Sequence, residues 1–541
     1  MHSLPKYFTS WWVLTLICAF LLQALTVSFV PGIGQDEVQI TDYGRLAVYP
    51  YSDWSMTWLI NDDKPLFLWS YLGPLIAETA WHIGGASGIG PRIASLLGGL
   101  AAASMALGWL LSRRVPGYVA FCLSLAFLLD PLFTLSQRMG RSDSWVIALC
   151  LASCWLLKDA TGKKRSIHTS TKVTLAGIFA AIAMLVWPSA SLLYPLILLE
   201  LWLLLKTEVV WKKRVSQLVR FIGGGFFITI LLLIPIRENL YVIFGDMQNM
   251  LTLNVDSSTS PLDKITSIFS VNNWFKLIKT FVKTFSPFLP LLAVFSLFYR
   301  GQTALKLVTL LTVFLIFSTL IYELRLLYLL PYFLALGGCF FARVLRESRH
   351  TTLRRVGLTA LFVIAGWSIA ISVLVRSGFA LGDKDGQDRN RIRFAAESFI
   401  GEGHHKVFLA FTYEFYFAGR QLGWELYTPY IEWTYDSLGN WKRENDYQPK
   451  DKFIKLLKKM DYAIFPTGSV TDDLSKQLME AGLVNKRTIS INGKKLYLDS
   501  ENESRSKQIL LSFLLGYKDY GPYFIYGRER ALKADVNRAA M

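Results

Sequence analysis

The chain has 541 residues, of which 52% are hydrophobic, and its mean hydropathy is +0.35. The formal net charge is +17, which in a soluble protein would suggest a nucleic-acid partner. Here the apolar residues form runs long enough to cross a hydrocarbon core about 30 Å thick, and the basic residues stand in short loops between the runs. Composition therefore excludes an ordinary soluble protein. It favours the interpretation that the basic residues in the loops set the membrane topology.

The apolar runs predict a polytopic all-α membrane domain over residues 1–376, followed by an extracytoplasmic small α/β domain over 377–541. The first run follows Lys6 and is too long for the apolar region of a signal peptide, so we interpret it as a retained helix. The five cysteines fall in apolar runs, which predicts no structural disulfide and no cysteine metal site. About eleven spans are predicted, at 11–30, 91–111, 117–136, 144–160, 173–188, 190–206, 219–236, 276–298, 304–322, 326–345 and 356–376.

A further apolar run at 65–83 is ambiguous, and the basic loops resolve it. If this run does not cross the membrane, Lys6 and the later basic loops all fall on one side. If it does cross, every later basic loop changes side and Lys6 disagrees with them. We therefore expect an interfacial helix at 65–83, within a first extracytoplasmic loop at 31–90, and a cytoplasmic N-terminus.

That first outer loop carries several ionisable side chains. Asp36 and Glu37 directly follow the first span and are functional candidates, although an acid at a helix N-terminus is equally an ordinary cap. Asp63 and Lys64 precede a proline and an apolar run. Lys64 can bind a substrate phosphate or extend to lipid phosphate without specificity. Arg92 opens the second span on the outer side, against the usual charge bias, which favours a carboxylate or phosphate partner.

Two later outer segments carry similar groups. Arg138, Arg141 and Asp143 stand between the third and fourth spans, on the predicted side of Asp36. Two carboxylates with cations nearby suit general-base catalysis against a phosphate leaving group. A structural Arg–Asp network at helix ends is the alternative. Finally, a tight outer turn containing Glu323 and Arg325 is predicted to lean over the same cavity.

The order of these motifs resembles the GT-C membrane glycosyltransferases, in particular the protein O-mannosyltransferase and aminoarabinose (lipid A) transferase branch. The shared features are an Asp-Glu pair after the first helix, a Lys-Pro before an interfacial helix, an Arg opening the second span and an Arg-x-Asp junction before the fourth. The segment from Arg325 to Pro331 resembles that branch's Arg-x-x-Tyr-Leu-Leu-Pro signature. The resemblance covers roughly residues 1–345.

This resemblance implies a polyprenyl-phosphate sugar donor, such as undecaprenyl or dolichyl phosphate, and a lipid, glycan or protein acceptor on the outer face of a bacterial inner membrane. It implies that Asp36 is the catalytic carboxylate, that Asp143 supports it, and that Glu37 orients the acceptor or a metal. Asp63 stands where the family often has Glu in Glu-Lys-Pro-Pro. The donor phosphate is expected to contact Lys64, Arg92, Arg141 and Arg325.

A divalent metal (Mg, Mn or Zn) is possible by the same resemblance, since some members bind one through an acid and a histidine. His82 is the only histidine in the predicted outer segments of the membrane domain. We therefore expect that transfer requires no metal and no other cofactor. Direct displacement with inversion at the sugar carbon is the expected chemistry.

The C-terminal segment has the pattern of a soluble α/β domain. Buried strands are predicted at 407–411 and 462–465, a helix at 472–481, and a hairpin with an Asn-Gly turn from Ile489 onward. The many aromatic residues between the two strands suit either a core or sugar stacking, and the core is favoured.

Two other functions fit a polytopic membrane protein. A transporter or flippase of a lipid-linked saccharide would be expected to show internal repeats or mid-membrane acids, and the sequence shows neither. A membrane receptor with a sensory outer domain leaves the outer acids and cations unexplained. The site, more than the fold, favours the glycosyltransferase.

Overall fold

The computed structural model divides into two compact units. The helical unit comprises Met1–Leu25, Trp69–Gly73 and Ile93–Ser377, and the mixed unit comprises Thr26–Leu68, Pro74–Arg92 and Gly378–Met541. The structure describes residues 6–29, 31–50, 52–56, 69–85, 88–161, 168–240, 270–298, 301–317, 323–347, 351–382, 388–428, 433–435, 441–443, 450–489 and 521–528.

Helices make up most of the described chain. In order they are α1 (Lys6–Ala24), α2 (Gln35–Val48), α3 (Leu72–Gly84), α4 (Ile89–Ser112), α5 (Gly117–Leu128), α6 (Pro131–Arg138), α7 (Asp143–Ala160), α8 (His168–Val186), α9 (Tyr194–Thr207), α10 (Trp211–Leu233), α11 (Val271–Lys283), α12 (Phe288–Leu297), α13 (Thr303–Phe317), α14 (Glu323–Leu326), α15 (Leu330–Glu347), α16 (Thr351–Ile369), α17 (Arg376–Gly382), α18 (Arg389–Phe399), α19 (Tyr416–Gln421), α20 (Lys450–Leu457) and α21 (Asp472–Glu480).

Six helical segments of the described chain are long and apolar enough to cross a membrane. A seventh is formed if α5 and α6, which are bent by 50° where Pro131 begins α6, count as one span. The protein is therefore an integral membrane protein with a polytopic helical fold. The count of eleven spans and the cytoplasmic N-terminus stay predictions. The six segments are Ile89–Ser112, Thr169–Val186, Pro188–Thr207, Trp211–Glu238, Leu324–Leu345 and Arg355–Gly378.

The ambiguous run at 65–83 corresponds in part to α3. This helix has 13 residues and is thus about 20 Å long, shorter than a hydrocarbon core of about 30 Å. Residues 57–68, before it, lie outside the described part of the chain. The placement of α3 at the membrane interface stays a prediction.

The helical unit is held by one large apolar cluster to which most of its helices contribute. Close approach of two helices depends on glycine at one point. A Cβ atom on Gly177 of α8 would lie 2.0 Å from the carbonyl oxygen of Phe221 in α10, which no side chain tolerates. Small residues allow membrane helices to approach this closely.

The mixed unit is built around a five-stranded sheet. Its strand order is β2-β1-β5-β7-β6, in which β1 is parallel to β2 and β5, while β7 is antiparallel to β5 and β6. A separate antiparallel pair joins β3 and β4. The strands are β1 (Lys406–Leu409), β2 (Glu425–Tyr427), β3 (Trp433–Tyr435), β4 (Trp441–Arg443), β5 (Tyr462–Pro466), β6 (Leu483–Ile489) and β7 (Tyr523–Arg528).

The predicted strands at 407–411 and 462–465 coincide with β1 and β5, and the predicted helix at 472–481 with α21. Ile489, expected to begin a hairpin, is the last residue of β6, which pairs with β7. The rest of that hairpin lies outside the described residues.

Alternate residues of the central strands enter two separate cores, as a pleated strand requires. Val407 and Leu409 of β1 join one apolar cluster, whereas Phe408 between them joins the other. The first cluster also contains Ile33 and Val38 from the first loop. The first loop and the C-terminal segment therefore share one core, which fixes helix α2 against the sheet.

Candidate active site

Helix α2 begins with the Asp36-Glu37 pair, and the two acids have different surroundings. Glu37 is only 1% exposed and forms a two-pronged ion pair with Arg92, at 2.8 Å from Oε1 to Nε and 2.6 Å from Oε2 to Nη2. Arg389 adds a longer contact of 3.4 Å to Oε1. Asp36, in the same first helical turn, is partly exposed. The positive end of the helix dipole favours both negative charges.

Arg92 is fully buried, and each of its five N–H groups has a protein acceptor. Besides its two bonds to Glu37, it donates to the carbonyl oxygens of Val27 at 2.8 Å, Pro31 at 2.6 Å and Gly32 at 3.1 Å. In this arrangement no N–H of Arg92 remains for a phosphate. The side chain fixes the segment that leads into α2, and donor binding by Arg92 stays a prediction that requires these bonds to open.

A second buried carboxylate of α2, Asp42, was not identified from the sequence. It accepts hydrogen bonds from Arg45 Nε at 2.8 Å, the Ser55 hydroxyl at 2.8 Å and the Tyr416 hydroxyl at 3.1 Å. Burial raises the pKa of Tyr416 well above its ordinary value, so this phenol stays protonated and donates. Arg45 also lies 3.4 Å over the ring of Trp54. This network joins α2 to α19 of the C-terminal segment.

Glu78 of α3, which is 1% exposed, forms the third such link. Both of its oxygens accept from Arg420 at 2.7 Å, and His82 lies 3.1 Å from Oε1. Burial by itself lowers the pKa of Arg420, but the charge and the hydrogen bonds of the Glu78 carboxylate outweigh that effect and raise it. Arg420 therefore keeps its charge and also packs on the ring of Trp81 at 3.8 Å.

The Asp143 cluster belongs to the helical unit. Asp143 is 1% exposed and accepts hydrogen bonds from Arg141 Nε at 2.6 Å, the Tyr328 hydroxyl at 2.5 Å and the Ser136 hydroxyl at 3.1 Å. Ser95 holds the Arg141 carbonyl at 2.6 Å. The structure thus brings the segment after the tight turn at 323–326 onto Asp143. The predicted meeting of these two motifs occurs through Tyr328, a residue that sequence reasoning did not assign.

The remaining predicted residues are placed as follows. Arg138 is fully buried and donates to the Gln23 carbonyl oxygen at 3.3 Å. Glu323 begins α14, and Arg325 in the same helix is partly buried. Asp63 and Lys64 lie outside the described residues. Over the described ranges, no group of three or more His, Cys, Asp and Glu side chains is arranged to hold a metal ion, and metal-independent transfer stays a prediction.

The missed residues had only weak signals in the sequence. Asp42 and Glu78 stand in the first loop like the assigned residues, but Tyr416 and Arg420, which contact them, follow the last predicted span. Arg420 is 342 residues from Glu78, and Tyr416 is 374 residues from Asp42. Nothing in a single sequence indicates pairings at that distance.

No protein-family profile matches this chain, and no relative is found among curated proteins by sequence. Solved structures do match. ArnT from Cupriavidus metallidurans bound to undecaprenyl phosphate is 14% identical, with a TM-score of 0.55 over 96% of this chain and 98% of that one. The same ArnT in the apo state gives 12% identity and a TM-score of 0.51 over the same shares.

The arabinofuranosyltransferase AftD from Mycobacteria is 12% identical, with a TM-score of 0.50 over 96% of this chain and 40% of that chain. These identities are low, so the likeness concerns the three-dimensional fold. Both ArnT structures match this chain over nearly the full length of both proteins. The chain therefore has the fold of the GT-C membrane glycosyltransferases, and the resemblance drawn from its motifs is confirmed at the level of the fold.

Proposed function

We propose that this protein is a glycosyltransferase that moves a sugar from a polyprenyl-phosphate donor to a lipid, glycan or protein acceptor. The reaction takes place on the extracytoplasmic face of a bacterial inner membrane. The observation that carries the proposal is the fold shared along nearly the whole chain with ArnT, a protein whose structure contains undecaprenyl phosphate. The acids and cations of the first loop and of the Asp143 junction then supply the chemistry.

In the proposed reaction, Asp36 accepts the proton of an acceptor hydroxyl. The hydroxyl oxygen forms a bond to the anomeric carbon while the bond from that carbon to the phosphate oxygen breaks, and the phosphate leaves with the electron pair. The configuration at the anomeric carbon inverts because no covalent intermediate with the protein forms. General-base help of this kind contributes about 10²- to 10⁴-fold in rate.

Asp36 is better placed than its neighbour Glu37 to act as the general base. A general base must reach its substrate within hydrogen-bond distance, and Asp36 is partly exposed, whereas Glu37 is 1% exposed and bound by two arginines. We assign Glu37 a positioning role through Arg92. Lys64, Arg141 and Arg325 are the proposed contacts of the donor phosphate, where cations stabilise the departing charge. Asp143 orients Arg141 for this task.

The test measures sugar transfer by the full-length protein in lipid nanodiscs, with radiolabelled polyprenyl-phosphate sugars as donors and a mixed pool of acceptors. Asp36→Asn removes the base while keeping the side-chain shape. We expect a loss of at least about 100-fold in transfer with unchanged donor binding. Asp53→Asn is the matched control, because Asp53 is an exposed carboxylate of the same loop, and wild-type transfer is expected.

Equal transfer by the Asp36→Asn variant and the wild type would remove Asp36 from the reaction. If no variant transfers label but labelled lipid crosses the bilayer of proteoliposomes, the transporter is the correct function, and the outer acids and cations form a headgroup-binding site.

A further inference from the structure

A cleft of about 290 Å³ opens in the mixed unit, beside the start of the first loop. Its walls come from the first turns of α18 and from α19, and Ile33 of the first loop completes it. All of these residues lie in one compact unit. The reaction described above makes no use of this space.

The cleft is lined by both apolar and polar residues, and its buried lining includes Arg389 and Glu414. Ile33 and Phe417 are buried, whereas Asn390, Arg393 and Gln421 are exposed. Amide and guanidinium groups donate to hydroxyl oxygens, and an amide carbonyl accepts from a hydroxyl. The apolar C–H face of a sugar ring can pack against Ile33 and Phe417. Small-molecule sites start at about 300 Å³, so the cleft has room for about one monosaccharide unit.

Charge narrows the ligand further. Two charged groups of the cleft are engaged within the protein, since Arg389 pairs with Glu37 at 3.4 Å and Glu414 accepts a hydrogen bond from the Tyr523 hydroxyl. Arg393, by contrast, has no carboxylate partner among the described residues. It is the fifth residue of α18. An anionic substituent on the sugar would pair with the Arg393 guanidinium and neutralise its charge.

We propose that this cleft is an acceptor subsite that binds one anionic monosaccharide unit. Arg393 receives its carboxylate or phosphate group, and Asn390 and Gln421 contact its hydroxyls. Ile33 precedes Asp36 by three residues, so their Cα atoms are at most about 11 Å apart. When one sugar unit of a glycan is bound in this cleft, a hydroxyl of the next unit reaches Asp36, the proposed base. The acceptor role rests on the proposed function, whereas the binding of the sugar does not.

The test measures binding without any donor. The full-length protein in phosphatidylcholine nanodiscs is titrated with glucuronic acid, glucose 6-phosphate, glucose and inorganic phosphate, with saturation-transfer NMR as the readout. We expect the two anionic sugars to bind better than glucose or phosphate alone. Arg393→Ala should weaken them about 10-fold or more, and Gln421→Ala should weaken them less. Both side chains are exposed, so these variants keep the fold.

Arg391→Ala is the matched control, because Arg391 is exposed on the same helix and does not line the cleft. It should bind as the wild type does. The proposal is overturned if Arg393→Ala binds like this control, if glucose binds as tightly as the anionic sugars, or if inorganic phosphate alone accounts for the binding. If sugar binding is intact but no transfer is measured, the proposed enzyme function is wrong and the sugar site stands. The reverse result would remove the sugar site alone.

Discussion

The buried acids of the first loop and the buried acid of the Asp143 junction are held in different ways. Glu37 and Glu78 each pair with an arginine of the C-terminal segment, 352 and 342 residues away. Asp143 takes its arginine from two residues away, in a unit that already has a large continuous apolar core. The first arrangement connects distant chain segments, whereas the second orients one local guanidinium. We infer that the ion pairs of the mixed unit maintain its fold, and that the Asp143 pair maintains a site.

The largest stability loss should follow Arg92→Met. The substitution leaves Glu37 buried with only the longer Arg389 contact and deprives three carbonyl oxygens of their donor. Breaking one side of a buried ion pair costs about 3–5 kcal/mol. Thermal unfolding of the detergent-solubilised protein should show this loss. Arg391→Met, at an exposed arginine, should stay within about 0.5 kcal/mol of the wild type, and equal melting of the two variants would contradict the comparison.

A smaller loss of stability is expected from Tyr328→Phe. It removes the 2.5 Å hydrogen bond to Asp143 but leaves the bonds from Arg141 and Ser136. We expect about 1–3 kcal/mol and a larger relative loss of sugar transfer, because the carboxylate and its arginine lose their fixed orientation. Tyr332→Phe is the control, since that hydroxyl donates to the backbone carbonyl of Leu192 at 2.7 Å and not to Asp143. Transfer at the wild-type level in Tyr328→Phe would show that the Asp143 cluster is structural.

The smallest effect should come from Asp159→Asn in the helical unit. Asp159 pairs with Lys172, and their side chains are 25% and 31% exposed. Partly exposed pairs contribute about 0–1 kcal/mol and are screened by salt. The difference in free energy of unfolding between the variant and the wild type should be small at low ionic strength and should vanish at high ionic strength. A loss as large as that of Arg92→Met would mean that ion pairs, and not the apolar core, hold both units.

Much of the fold could be predicted from the sequence, because hydrophobic periodicity is a local property. Six of the eleven predicted spans, strands β1 and β5 and helix α21 all follow from runs that can be read within a few residues. Asp36 and Glu37 were found because acids directly after an apolar run are unusual.

What could not be predicted is which residues pair across the chain. Arg92 was predicted to meet a carboxylate or a phosphate, and the structure supplies the carboxylate of Glu37. Arg389 and Arg420 stand in ordinary charged sequence, and their partners lie before the second predicted span. Such pairings follow from tertiary packing, since both segments contribute to the mixed unit. Local pattern therefore identified the acids of the candidate site but not the residues that contact them.

The division of the mixed unit between the two ends of the chain has a consequence for biosynthesis. Ribosomes add about 5–20 residues per second, so the 352 residues from Glu37 to Arg389 take about 20 to 70 s to be made. Throughout that interval the first loop lacks most of its shared core, which the C-terminal segment supplies, and two of its arginines. The loop that carries the proposed base can therefore complete its fold only after the last helix of the helical unit has been synthesised. A chain that ends before Arg389 therefore leaves Ile33 and Val38 without their core neighbours, and Glu37 and Glu78 without their C-terminal arginines.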